Sequence, residues 1–203
     1  MEALGIKKEG NQRDKNSGGA RTYYAQLKSL GLLFDYEDIP LLTLAGQEIV
    51  EGSEPIKVLQ NQLLKIQYPS STTKDFNGEF HIQPVKFLLE LICDQDINKI
   101  SESELIIPII FAKTNDSFDL CKKYILKVRE RIKICSNKNE ENEILKNIIK
   151  DKNLILSPRA KESDTFDKRI ARVRDISNTL SNYLQGSKIL CKKYEDDEDY
   201  LYI

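Results

Sequence analysis

The chain has a single histidine, His81, and no tryptophan. One histidine excludes an H-E-x-x-H zinc site and any two-histidine nuclease centre. A Ser-His-Asp relay has only His81 to use, and nothing near it resembles a nucleophile elbow. Beside an apolar run, His81 is read as structural. The four cysteines (Cys93, Cys121, Cys135 and Cys191) contain no C-x-x-C pair, which argues against both a zinc site and a disulfide framework and for a reduced, cytoplasmic chain. No apolar run reaches the length of a membrane span, so no membrane partner is expected. The opening MEALGIKKEG lacks the apolar core of a secretory leader. Neither G-x-x-x-x-G-K-[ST] nor G-x-G-x-x-G occurs, and no standard nucleotide cradle is expected.

What remains is an ordinary globular composition: 203 residues, 40% apolar and 31% charged, with a net charge of -1. That average hides strong segmentation, and local fields act on partners more than totals do. Residues 1–30 carry six Lys/Arg against three Asp/Glu, whereas 31–60 carry one against six. Residues 93–120 sum to -4 and the next fifteen to +5. Residues 166–193 sum to +5 and the last ten to -5. Three separate basic stretches are thus available to one face, unless they are solvated helix faces paired with neighbouring acids.

The pattern predicts a mainly α chain with small β-hairpins, an α+β fold. Residues 1–17 are polar and read as a flexible arm. NSGGARTYYAQLKSLG reads as a helix with Asn16 or Ser17 as its cap and Gly31 as its stop. LLFDYEDIPLLTL then reads as two strands around an acidic turn at 35–38. LTLAGQEIVEG closes that hairpin and leads into a linker helix, PIKVLQNQLLKIQY, that ends at Pro69. Together these predict a first winged-helix-like subdomain over 18–70, whose preceding helices the short polar arm cannot supply. A second, elaborated winged helix is predicted over 71–203. Its first helix opens at Pro84, where a missing N–H costs nothing. Its second is capped by Ser101 with Glu104 three residues on, as in a capping box. Its third has an apolar seam of Phe118, Cys121, Tyr124, Ile125, Val128 and Ile132. A polar insertion follows at about 136–165, then a basic helix ending at Gly186 and a closing hairpin with EDDED at its tip. The chain reads as part of a larger protein.

The order GGARTYYAQLKSLGLLF, LLTLAGQEIVEG, LLKIQYPSS, IQPVKFLLELI, ISESELIIPIIF and RIARVRDISNTLSNYLQ resembles the DNA-recognition region of AlwI-type restriction and nicking endonucleases. More distantly it is similar to the winged-helix recognition half of FokI. The resemblance spans roughly residues 17–203. It implies tandem winged-helix subdomains, a prokaryotic cytoplasmic location, and a monomer that reads a short asymmetric site in double-stranded DNA. It also implies a Mg2+-dependent PD-(D/E)xK nuclease domain or subunit elsewhere in the parent protein. That site needs an acid two residues before a lysine, on one face of a strand. No lysine from Lys7 to Lys193 has one, so neither catalytic residues nor a metal site nor a cofactor are expected in this chain. The run Glu195–Asp199 reads as a solvated turn, since consecutive carboxylates point apart.

A helix in the major groove reads bases from its first turns. In the first subdomain this selects Arg21, Thr22, Gln26 and Lys28, with Gly18 and Gly19 letting the backbone approach a phosphate at the helix start. Arginine suits guanine and glutamine suits adenine through paired hydrogen bonds. Arg13, Lys15, Asn16 and Ser17 are candidates for an arm along the backbone or in the minor groove. In the second subdomain Lys122, Lys123, Lys127 and Arg129 form one candidate surface, and Arg169, Arg172 and Arg174 another. Two other readings compete: a winged-helix transcription regulator, which would be a dimer on a symmetric site, and a winged-helix protein-interaction module.

Overall fold

The computed structural model describes residues 18–70, 80–133, 138–150, 165–195 and 198–203. The fold is α+β, mainly helical with two small antiparallel sheets. The chain divides into two compact units, with the boundary between Pro55 and Ile56.

In the first unit, helix α1 (Gly18–Ser29) runs into strands β1 (Leu33–Tyr36) and β2 (Ile39–Leu42), followed by helix α2 (Leu44–Glu51). Gly31 stops α1 in the left-handed region, at φ 67°. Its N–H donates to the Lys28 carbonyl, and the Leu32 N–H reaches back to Leu27 at 2.9 Å. This paired closure is the Schellman ending that glycine permits at no steric cost. The hairpin turns on Glu37 and Asp38, both with positive φ, as a two-residue loop of the hand that matches strand twist requires.

The LTLAG segment opens a helix where a strand end was expected. Thr43 Oγ1 accepts from the Gly46 N–H at 3.0 Å and donates to the Gly31 carbonyl at 2.7 Å. One hydroxyl therefore caps α2 and ties it to the end of α1. Gly46 is buried against the backbone of Leu32, where an added Cβ would lie 2.2 Å from the carbonyl oxygen. Thr and Gly at this spacing are each required by local geometry.

The second unit opens at Ile56, one residue into α3 (Pro55–Lys65). This helix was expected to close the first subdomain, at 70. Instead Leu63 is fully buried and the Gln60 amide donates to the Ser187 carbonyl at 2.8 Å, which binds α3 to the second unit. It also ends at Lys65, before the predicted Pro69. The remaining elements are α4 (Pro84–Cys93), β3 (Ile100–Ser101), α5 (Ile106–Phe111), α6 (Phe118–Ile132), α7 (Lys138–Lys150), α8 (Phe166–Gly186), β4 (Cys191–Glu195) and β5 (Glu198–Tyr202).

The core forms where α5, six residues with no charged side chain, packs against α6 and α8. Ile106, Ile107 and Ile110 of α5 and Cys121, Ile125 and Val128 of the predicted α6 seam are all buried. Phe111 stacks on Tyr124 with centroids 4.4 Å apart. The three-stranded sheet has the order β3-β5-β4, with Ile100 opposite Leu201 and Lys193 opposite Tyr200. The Ser101–Glu104 capping box is present, each backbone N–H donating to the other's side chain at 3.0–3.1 Å. The helix it was expected to open starts later, at Ile106, because Ser101 is held in the sheet by β5.

Candidate nucleic-acid interface

Of the predicted arm, Arg13, Lys15, Asn16 and Ser17 lie outside the described residues. Gly18 and Gly19 form the first turn of α1, with Arg21 and Thr22 exposed just after them. Gln26 is half-buried on the same helix. Lys28 is committed locally: it pairs with Asp35 of β1 and lies 5.5 Å from the Tyr24 ring centroid. It therefore serves the α1–β1 junction, whereas the sequence reading had placed it among the base readers.

On α6 the four predicted cations separate into two roles. Lys122 bridges Asp94 at 2.8 Å and Asp96 at 2.6 Å, fixing the end of α4. Hydrogen bonding to both acids raises the lysine pKa, and the bond to Lys122 lowers that of Asp94. Arg129 is more deeply engaged. Its Nε and Nη2 donate to Glu104 at 2.7 and 2.9 Å, its Nη1 donates to the Ile97 carbonyl at 3.0 Å, and Nη2 also donates to the Lys99 carbonyl. Burial opposes the arginine's charge, and the Glu104 carboxylate more than offsets it. Arg129 thus joins α6 to the α4–β3 loop and to the start of α5. It had been predicted on an exposed face. Four of its five N–H donors are used within the protein.

Lys123 and Lys127 are exposed and lie one turn apart on a single stripe of α6, which Arg131 continues. Such i, i+4 neighbours are displaced by about 6 Å along the helix. On α8, Arg169 and Arg172 are half-buried and Arg174 is exposed, and all three already interact within the protein. The buried stripe of α8 is Ile170, Val173, Ser177, Ser181 and Leu184.

The sheet carries cations that sequence reasoning did not single out. The Lys99 ammonium lies 4.0 Å from the Tyr200 ring centroid and 2.8 Å from Glu195, which also accepts from the Tyr202 hydroxyl. Lys192 sits between Glu102 at 2.6 Å and Asp199 at 2.8 Å. Glu198 accepts from the Ser103 N–H at 3.2 Å. The predicted solvated acidic turn is therefore, at Glu195, Glu198 and Asp199, a set of anchors that hold the hairpin to the β3 region. Asp196 and Asp197 lie outside the described residues. The alternation of Lys192–Lys193 with this acidic run was the available signal.

His81 has its backbone N–H bonded to the Lys113 carbonyl at 2.7 Å, while its exposed ring lies 3.5 Å from the Gln67 amide. No group of three or more His, Cys, Asp or Glu that could hold a metal ion gathers among the described residues. No helix among them is long and apolar enough to cross a membrane. No family model and no curated protein matches this chain.

Proposed function

We propose that this chain is the double-stranded DNA recognition region of a prokaryotic, cytoplasmic type II or IIS restriction endonuclease. In this reading it binds a short asymmetric site as a monomer, and a Mg2+-dependent nuclease domain elsewhere in the parent protein cuts. The observation that carries the reading is the strand order of the second unit. A winged helix has a short strand between its first two helices, and that strand pairs with the last strand of the closing hairpin. The order β3-β5-β4, with β3 between α4 and α5, agrees with that plan. On this reading α8, which leads into the hairpin, and the Lys123–Lys127 stripe of α6 are the surfaces for duplex DNA, and Arg21 of α1 is the first unit's base reader. The hairpin itself is too acidic to lie along phosphates.

Selection from a randomised duplex pool tests the proposal, followed by anisotropy on the winner and a scrambled control at two salt concentrations. The expected result is an asymmetric site of about five base pairs, bound roughly a thousand-fold or more above the control. A palindromic winner would transfer the reading to a dimeric regulator. No enrichment together with no salt-sensitive binding would end it.

A further inference from the structure

We infer that the open face of the β1–β2 hairpin is a docking surface for a protein partner that presents an apolar segment bordered by lysine or arginine. This goes beyond the DNA reading and stands without it. The register pairs Phe34 with Leu41 and Tyr36 with Ile39, and alternation along each strand puts these four side chains on one face. Their exposures are 42%, 40%, 59% and 58%. On the other face Lys28 of α1 pairs with Asp35, and Leu42 lies beside Gly46 of α2. Asp35, Pro40 and Leu42 on that other face are exposed as well, Leu42 at 39%, so what sets the Phe34–Leu41 and Tyr36–Ile39 face apart is that it is wholly apolar. An uninterrupted apolar face of this kind is what interaction sites carry and isolated surfaces avoid.

Charge selects the occupant. Glu37 and Asp38 form the tip of the hairpin, and no lysine or arginine occurs between Lys28 and Lys57, whereas six carboxylates do. Phosphates would be repelled, so the face does not suit DNA. A second copy meeting it through a two-fold axis would bring like carboxylates together. A cationic border around an apolar centre meets both features at once.

Random short peptides displayed on phage, selected against the full chain, test this directly, with the winners synthesised and titrated by anisotropy. The winners are expected to combine aliphatic or aromatic residues with Lys or Arg. Ile39→Ser and Tyr36→Ser, both at exposed positions, should weaken them by about tenfold or more. Glu37→Lys with Asp38→Lys should weaken them too, and added salt should mimic that change. Circular dichroism of each variant establishes that it is folded. Duplex affinity should be untouched by Ile39→Ser. Failure to enrich any peptide would overturn the inference, as would winners indifferent to these substitutions. Concentration-dependent dimerisation abolished by Ile39→Ser would overturn it in favour of a second copy.

Discussion

Arg129 and Glu104 show how one pair of side chains decides a local architecture. The carboxylate is buried and the guanidinium mostly so, and between them they satisfy the carbonyls of Ile97 and Lys99 and the N–H of Ser101. Removing one partner leaves a buried charge without its counterion, which costs about 3–5 kcal/mol. Arg129→Met is expected to lower unfolding free energy by that amount in urea titration. Adding Glu104→Met should recover part of the loss, because an apolar pair of similar volume carries no desolvation penalty. A single-variant cost below about 1 kcal/mol would show that the pair is incidental. Cys121 behaves differently from its exposed counterparts. Burial in the α6 seam pushes its thiol up to about 12, whereas Cys93 and Cys191 are exposed. The thiolate is the reactive form. Iodoacetamide on the native protein near pH 8 should therefore modify Cys93 and Cys191 and spare Cys121, as peptide mapping would read out. Labelling of Cys121 at the same rate would place it outside the core.

At the scale of elements, the ends of helices carry most of the information. Gly46 sits in a helix, where alanine ordinarily gains about 1 kcal/mol. Here the new Cβ would meet a backbone carbonyl that cannot move aside, so Gly46→Ala should destabilise the first unit by about 1–3 kcal/mol. The end of α8 offers the opposite case. The helix ends at Gly186, as the sequence predicts, but the left-handed residue that closes it is Lys188, at φ 57°, with Ile189 N–H bonded back to Leu184 and Lys188 N–H to Gln185. A lysine thus stands where glycine fits best. Lys188→Gly should then stabilise by about 0.5–1 kcal/mol, the left-handed penalty less glycine's added chain entropy. Thermal unfolding of the two variants side by side would show shifts of opposite sign. These same places mark what was legible from residues alone. Gly31, Pro84 and the α6 seam announced themselves, because a stop, a start and a 3.6-residue period are local properties. Thr43 as a cap was missed, because a four-residue strand and a short helix share an apolar run. The partners of Arg129 were invisible, since Glu104 is 25 residues away and nothing local joins them.

For the molecule as a whole, the predicted basic faces have been thinned by internal pairing. Lys28, Lys122 and Arg129 are committed to carboxylates, which leaves Arg21, Lys123 and Lys127 as the sharpest tests of the DNA reading. Lys123→Ala and Lys127→Ala should each weaken duplex binding uniformly across sequences and reduce the salt slope by about 0.9. Arg21→Ala should instead cost about 1–3 kcal/mol at one base position and relax preference there, measured by competition with single-base variants of the selected site. A uniform loss for Arg21→Ala would make it a phosphate contact.

The sheet order also bears on how the chain reaches this state. Its middle strand, β5, is the last of the three to be synthesised, and it must find β3 about a hundred residues back before any three-stranded ladder exists. While the ribosome is still making the preceding helices, Ile100 therefore has no cross-strand partner, and the apolar α5–α6 layer must hold together without its sheet. Pairing at such separation is slow and leaves an edge exposed meanwhile. A nascent chain stalled before Glu198 should thus be far more susceptible to protease around 97–105 than one extended past Tyr202.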